Sequence, residues 1–540
     1  MCGILAIVSK TLDLNYNKES LIRRGPDTSQ THVYIKNGVN VLFDFHRLAI
    51  NGLTPEGDQP FSYSGLHLIC NGEIYNYKEI KQMHNIKTTS GSDCEVILPL
   101  FYKILQEDKL LNLNYDQSVI HLCSQLNGEW AFVIYDSNNN KIIAARDKPG
   151  VKPLYVGLSD NTFAFSSMID PMKFCDTVSP MVPGSYTIIE LASMERRSNA
   201  YGALKTKKND DSLSIICEKV KHLITNAVKK RVINSDVPVG CLLSGGLDSS
   251  IVSAIAKTFC PNLRTFAIGL KDSVDLVYAK KVADFIGSNH TTIVCAEAEF
   301  LDVIPEVIRS IESYDITTVR ASVGNYLVSK YIKANTDIKV LLCGDFADEC
   351  FAGYDYFKKA TPEQAQSETL RLLSEIYLFD SLRSDRCAAS NGLEVRVPYS
   401  DIDLIEYYLS IPIEYRMGKL PGLNATNIEK YIVRSSFPGL LPSEVQWRPK
   451  TTFSDGVGSQ GNQWHKIIIS HTQAITGEEF EKRAVLYPHN TPETKEAYYY
   501  RFIFESLFPN RSNVIPFMWM PKFTESKDPS AWASAEFDKL

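Results

Sequence analysis

Three stretches of the sequence carry residues that could do chemistry. The first is Cys241-Leu242-Leu243-Ser244-Gly245-Gly246-Leu247-Asp248-Ser249-Ser250, where an apolar, β-prone lead-in meets small residues and a helical pattern follows at Ile251, Val252, Ile255 and Ala256. Adjacent glycines let the backbone approach a ligand, and the hydroxyls of Ser244, Ser249 and Ser250 join the amides of a helix start in aiming donors at one spot. Such a nest favours a phosphate or pyrophosphate. Asp248 within it repels bare phosphate, which implies a hydrated cation such as Mg²⁺ between them. No Gly-Lys-Ser/Thr follows, so the loop is not of the Walker type, and Ser-Gly-Gly alone also suits a plain strand-to-helix turn. The second stretch is Met1-Cys2, heading the apolar run Gly3 to Val8. Loss of Met1 would give Cys2 an α-amine beside its own thiol. An amine titrating near about 7.7–8.0 can take the thiol proton, so one residue would supply nucleophile and base; a lone cysteine there is otherwise incidental. The third is Cys343-Gly344-Asp345-Phe346-Ala347-Asp348-Glu349, with Asp348 able to share the cation with Asp248. Acids decorating a helix N-terminus are the plainer reading of the same residues.

These residues need elements to hold them. The first half reads as strand-rich, with Asn71 to Asn76 forming a hairpin-type corner after the strand Leu66 to Cys70, and with Gly128 to Asp136 paired to a further strand across Asp136 to Asn140. Ser92-Asp93-Cys94-Glu95 opens an apolar helix. Met194 to Ser212 is polar, charged and without apolar period. It is expected to be a linker between domains at 1–193 and 213–540. After a helix over Leu213 to Arg231, strands alternate with helices: Leu263 to Gly269, Leu276 to Phe285, His290 to Cys295, a helix Phe300 to Tyr314, and Val340 to Cys343. That rhythm predicts a doubly wound, mostly parallel sheet whose ligand crevice lies at the carboxyl ends of its strands. Ser244, Ile268 and Cys343 fall at such ends, where backbone groups at Ile268 could hold an adenine edge.

At 540 residues the chain exceeds one hydrophobic core. A net charge of -6 and a pI near 6.0 exclude a general nucleic-acid or membrane-surface role. No apolar run reaches transmembrane length, and no secretory signal is expected, since no basic segment followed by a long hydrophobic one opens the sequence. Twelve cysteines without a CxxC pair point to buried thiols in a reducing cytoplasm rather than to disulfides or structural zinc.

The loop string resembles the SGGxDS signature of the N-type ATP pyrophosphatases. Arg24-Gly25-Pro26-Asp27, His46-Arg47-Leu48-Ala49-Ile50 with Gln59-Pro60 downstream, Asn71-Gly72-Glu73-Ile74-Tyr75-Asn76 and Ser92-Asp93 behind Cys2 resemble class II, N-terminal-nucleophile glutamine amidotransferase domains. That resemblance implies a β-sandwich flanked by helices, a glutamine site at Arg47, Leu48, Ala49, Ile50, Asn51, Asn71, Gly72, Glu73 and Asp93, charged ends held by Arg47 and Asp93, and an oxyanion hole at Asn71 and Gly72. With Thr317 to Ser322, Gly392 to Tyr399, Trp447 to Gly456 and the tail through Asp528-Pro529-Ser530, the whole chain resembles the glutamine-hydrolysing asparagine synthetase family of the B type. The implied catalytic set is Cys2, Asn71, Gly72, Asp345 and Lys450. ATP would lie on Leu242, Ser244, Gly245, Gly246, Asp248, Ser249, Ser250, Ile268, Cys343 and Gly344, with Mg²⁺ on Asp248 and Asp348. Aspartate would be adenylated with release of pyrophosphate, Lys450 would offset the charge building on that pyrophosphate, and ammonia freed at Cys2 would cross to displace AMP. The partners implied are small molecules, with homodimerisation as a family habit.

Three departures stand out. The segment before the RGPD string is short, and Arg23-Arg24 stands where His-Arg is usual. The family's SGEGSDE appears as CGDFADE, so Asp345 sits one methylene further back than the glutamate implicated in handling the acyl-adenylate. Two alternatives stay open: a related amide- or lactam-forming adenylating ligase, and a catalytically silent nitrogen sensor.

Overall fold

In the computed structural model the apolar run behind Cys2 becomes β1 (Gly3–Ser9), the fourth strand of a six-stranded antiparallel sheet. Residues 1–11, 15–419, 428–450, 456–459, 463–523 and 529 are described. Of the motifs above, Thr451 to Asp455 and the tail residues Asp528 and Ser530 lie outside the described residues. The described chain divides into two compact units. One is Met1–Leu204 with Asn234–Pro238 and Ala388–Glu394; the other is Lys205–Ile233, Val239–Cys387 and Val395–Leu540.

In the first unit, α1 (Glu19–Arg24), β2 (Thr28–Lys36), β3 (Val39–Arg47), β4 (Phe61–Tyr63) and β5 (Leu66–Ile74) follow β1. Next come α2 (Tyr77–His84), α3 (Ile97–Leu110), α4 (Tyr115–Gln125), β6 (Gly128–Asp136) and β7 (Lys141–Arg146). The unit closes with β8 (Tyr155–Ser159), β9 (Thr162–Ser166), β10 (Thr177–Pro180), β11 (Ser185–Glu190) and β12 (Glu195–Ala200). Two sheets result, ordered β10-β8-β9-β1-β3-β2 and β12-β11-β7-β6-β5-β4. Period-two alternation sends Ile4, Ala6 and Val8 of β1 into a core shared with Ile69, Ala131 and Val133 of the second sheet. The other face of that sheet, with Leu68, Cys70 and Phe132, is covered by Ile97, Phe101, Val119 and Leu122 of α3 and α4. Central placement of β1 fixes its register on both edges, Gly3 to His46 and Leu5 to Ser166, and thereby fixes Cys2.

Two expectations need correcting. The Asn71 to Asn76 corner is not a corner: β5 runs through Ile74, paired residue by residue with β6. The expected linker contains β12, which pairs with β11 from Ser185↔Ala200 to Glu190↔Glu195. Its side chains are exposed and polar because an edge strand buries neither face, which erases the apolar period that would have announced it.

The second unit opens with α5 (Leu213–Ile233), then β13 (Val239–Leu242), α6 (Leu247–Phe259), β14 (Arg264–Leu270), α7 (Val274–Ile286) and β15 (Asn289–Cys295). A single helix was expected over Phe300 to Tyr314. Instead α8 (Glu297–Asp302) and α9 (Ile304–Ile311) meet at Val303, before Pro305 in the first turn of α9. Then come α10 (Ile316–Asn335), β16 (Val340–Leu342), α11 (Ala347–Phe351), α12 (Pro362–Glu375), α13 (Asp380–Ala389), β17 (Glu394–Arg396) and α14 (Ile402–Ser410). The sheet order is β15-β14-β13-β16-β17, and β15/β14, β14/β13 and β13/β16 are parallel. Cys241 and Leu342 are fully buried, as strands covered by helices on both faces require. β13 and β16 are neighbours, so the loops at their carboxyl ends meet.

Candidate active sites

The first site lies in the first unit, where β5 outruns its partner. β4 pairs with β5 only as far as Leu68. Past that point the Gln59 side chain stands in for a strand: its Oε1 accepts from the Cys70 amide at 2.6 Å and its Nε2 donates to the Cys70 carbonyl at 3.3 Å. Asn71 and Gly72 follow with β6 as their strand neighbour. Asn71 Oδ1 accepts from the Cys2 amide at 3.0 Å, while its buried Nδ2 makes no hydrogen bond among the described residues. A Cβ at Gly72 would fall 2.3 Å from the Glu129 carbonyl oxygen and 2.5 Å from Trp130 Cα, so only glycine fits. A thiol, an unspent side-chain amide donor and the Gly72 backbone amide thus lie together, a donor set that suits a tetrahedral oxyanion.

The cavity beside them is lined by Cys2, Arg47, Asn51, Gly72, Glu73 and Asp93, with Leu48 and Ile50 as apolar walls and Glu394 at its margin. Arg47 makes its cationic pole. Its guanidinium donates to the carbonyls of Thr54 at 2.9 Å, Asn51 at 3.3 Å and Gly52, and to Asp58 at 2.8 Å. The anionic pole is Glu73 with Asp93. Asn51 Nδ2 donates to Glu73 at 2.7 Å and to Asp93 at 3.4 Å, and the Ile74 amide donates to Asp93 at 2.5 Å. Opposite poles in one cavity suit an α-amino acid zwitterion. Ala49 does not line this cavity; its amide donates to Asp27 at 2.8 Å and so shapes the loop. Burial pushes the Cys2 thiol up to about 11 while Met1 is attached, and burial pulls the Met1 amine below its ordinary value.

The second site is a cavity of about 220 Å³ in the second unit, at the carboxyl ends of β13, β14 and β16. The loop after β13 is tied to itself. Ser244 Oγ lies 3.0 Å from Ser249 Oγ, and the Ser244 amide donates to Ser249 at 3.2 Å. Gly245 has φ +75°, and a Cβ there would meet the Ala279 nitrogen at 2.4 Å. Gly344 lets the β16 loop reach the α6 terminus, because a Cβ would lie 2.8 Å from the Ser249 nitrogen. Leu242, Ser244, Gly246, Asp248, Ser249, Ile268, Cys343 and Gly344 line the cavity. Gly245 and Ser250 do not: the glycine supplies the turn, and Ser250 is fully buried one residue further into α6. Thr317, Ala321, Asn325 and Val328, on one face of α10, add a wall.

Asp248 and Asp348 converge. Asp248 Oδ2 and Asp348 Oδ1 each lie 2.6 Å from Lys430 Nζ, and Asp348 Oδ2 lies 2.5 Å from Lys450 Nζ. Burial works against the charge on Asp348, but the two ammonium groups outweigh it and hold that carboxyl well below the usual range. The Lys450 ammonium is in turn stabilised by Asp348 and Asp248 despite its burial. Asp248 Oδ1 is a buried acceptor without a hydrogen bond among the described residues. Among those residues no three or more metal-binding side chains cluster. Two carboxylates with a spare acceptor nonetheless fit Mg²⁺ when phosphates supply further oxygens. Lys430 gave no signal in the sequence, since it stands alone in an ordinary amphipathic stretch.

Elsewhere in the cavity, Asp345 Oδ1 accepts from Arg383 at 3.3 Å and its Oδ2 accepts from Ser384. Arg383 also pairs with Asp380 at 3.1 Å. Glu349 accepts from Tyr354, and burial together with Asp380 and Asp348 pushes its carboxyl up to about 8.

Each unit thus carries its own class of site: a cysteine-bearing pocket with opposite charged poles, and a cavity at the carboxyl ends of the central strands of a parallel sheet. Family profiles match the two halves of the chain separately. One described as a glutamine amidotransferase domain matches residues 1–183, and one described as asparagine synthase matches residues 219–371 and 359–527. The chain is 38% identical to the glutamine-hydrolysing asparagine synthetase of Gallus gallus, 39% to that of Cricetulus griseus and 40% to that of Homo sapiens, covering 98% of this chain and 98% of the relative in each case. The chain belongs to the asparagine synthase family.

Proposed function

We propose that the protein makes asparagine from aspartate, with ATP as the activating nucleotide and glutamine as nitrogen donor, yielding AMP, pyrophosphate and glutamate. It is then a carbon–nitrogen ligase with two chemistries. Free glutamine enters the first cavity with its carboxylate toward Arg47 and its ammonium toward Glu73 and Asp93. Once Met1 is removed, the α-amine of Cys2 takes the thiol proton and the sulfur attacks the side-chain amide. Asn71 Nδ2 and the Gly72 amide receive the developing oxyanion, a contribution worth on the order of 10²–10³ in rate per donor. Ammonia leaves, and water releases glutamate.

In the second cavity the loop from Ser244 to Ser249 cradles the phosphates while Ile268 stands beside the base. Mg²⁺, held by Asp248 and Asp348, would screen the charge of the triphosphate when bound. Aspartate's side-chain carboxylate attacks the α-phosphorus, pyrophosphate departs beside Lys450, and the β-aspartyl-AMP so formed is taken by ammonia. The observation that carries this reading is the presence in one chain of a cysteine-bearing pocket with opposite charged poles and of a small-residue loop beside two convergent carboxylates. The twelve free cysteines suit a reducing cytoplasm, and a homodimer is part of the same family reading.

The test is the nitrogen source. Cys2→Ala is expected to lose asparagine formation from glutamine and to keep it from added ammonia; loss of both to the same degree would contradict a scheme with two separate centres.

A further inference from the structure

The two carboxylates of the second cavity already share a cation, and that cation is a side chain. Lys430 Nζ sits 2.6 Å from both Asp248 Oδ2 and Asp348 Oδ1. Its placement is built in. Lys430 is 1% exposed and has φ 55°, a left-handed backbone that long side chains seldom adopt. Gly353 clears its path: a Cβ there would fall 2.1 Å from Lys430 Cε and 2.3 Å from Asp348 Oδ1. The neighbouring Glu429 accepts from Arg434 at 2.6 Å and from the Lys450 amide at 3.0 Å, which anchors the dipeptide to the rest of the pocket.

An ammonium 2.6 Å from both oxygens and a Mg²⁺ ion needing about 2.0–2.1 Å to each would fill the same volume, so they exclude one another. Resting on the ATP chemistry read above, we propose that Lys430 is a resident counter-cation that competes with the divalent metal for the point between Asp248 and Asp348. It yields that point when the metal arrives together with a polyphosphate. A metal ion alone would drive the ammonium off two buried carboxylates with no anion to receive it, and a desolvated, unpaired charge is costly. A metal–nucleotide complex brings phosphate oxygens within reach of the flexible four-carbon stem. Metal entry is thereby conditional on nucleotide, and the paired carboxylates stay neutralised until then.

The test uses the full-length protein and Mn²⁺ as probe, followed by electron paramagnetic resonance with and without saturating ATP. Without nucleotide, Lys430→Met is expected to bind Mn²⁺ more tightly than wild type by on the order of tenfold or more, because a like charge has left the site. With ATP the difference should shrink. Lys430→Arg should remain weak without nucleotide. In EDTA, Lys430→Met should melt below wild type and recover when Mn²⁺ is added, which a merely misfolded variant would not do. Equal nucleotide-free Mn²⁺ affinity in wild type and Lys430→Met, with both binding Mn²⁺ once ATP is present, overturns the competition and leaves the ATP reading standing; tight nucleotide-free binding by Lys430→Arg overturns it as well. No Mn²⁺ binding by wild type even with ATP would overturn the metal site itself and this proposal with it.

Discussion

Gly72 and Gly344 are positions where one added carbon decides the outcome, because each faces backbone rather than a side chain that could move aside. Gly344→Ala is expected to reduce ATP–pyrophosphate exchange severely, since the new methyl would push the β16 loop off the α6 terminus. Exchange at the wild-type rate would count against the close packing of those two segments. Asn71→Ala should cut glutamine hydrolysis by on the order of 10²-fold in kcat while ammonia-dependent synthesis continues. A change confined to KM would assign Asn71 to substrate binding instead. Asp345 belongs at this scale too. The shortened carboxylate is not left hanging: Arg383 and Ser384 hold it, so the lost methylene is absorbed by partners that no local motif announces.

At the scale of elements, α5 is fastened to the start of α14 through one carboxylate. Asp401 accepts from Lys230 at 2.5 Å and from Arg231 at 3.2 Å, and Arg231 also donates to Ser400 at 3.2 Å. Burial opposes the charge on Asp401, yet these cations win and depress its carboxyl below the ordinary 3.8. A depressed carboxyl contributes stability that is complete at neutral pH and fades as pH falls from about that ordinary value towards the folded one. Asp401→Asn is therefore expected to cost about 3 kcal/mol at pH 7, by leaving the buried Arg231 and the half-buried Lys230 short of a partner. The penalty should narrow in acid. Urea denaturation of both proteins at neutral and acid pH measures it, and a pH-independent difference would show that the lost charge is not the cause. The elements also explain what pattern reading missed. β12 is legible only through its pairing with β11, because an exposed edge strand carries no apolar stripe. The break at Val303 separates two helices whose apolar residues run on without a change of period, so Pro305 was the sole cue.

For the whole molecule, two centres with separate tasks imply separable failures. Asp248→Asn is expected to abolish pyrophosphate release with either nitrogen donor while glutamine hydrolysis persists; measuring pyrophosphate and glutamate in one reaction decides this, and parallel loss of both products would count against independent chemistries. By itself the sequence determined the local chemistry: a cysteine behind the initiator methionine, a small-residue loop between strand and helix, acids at a second strand end, and the βαβ rhythm that brings strand ends together. Such features depend on bond geometry, backbone freedom and periodicity within a few residues. Only the tertiary structure decided which distant groups complete each site. Gln59 replaces a missing strand beside Cys70, Ser384 and Arg383 claim Asp345, and Lys430 stands between Asp248 and Asp348 from 182 residues away. Those meetings arise from how helices and strands pack, and a lone lysine or glutamine carries no periodic mark of the partner it will find.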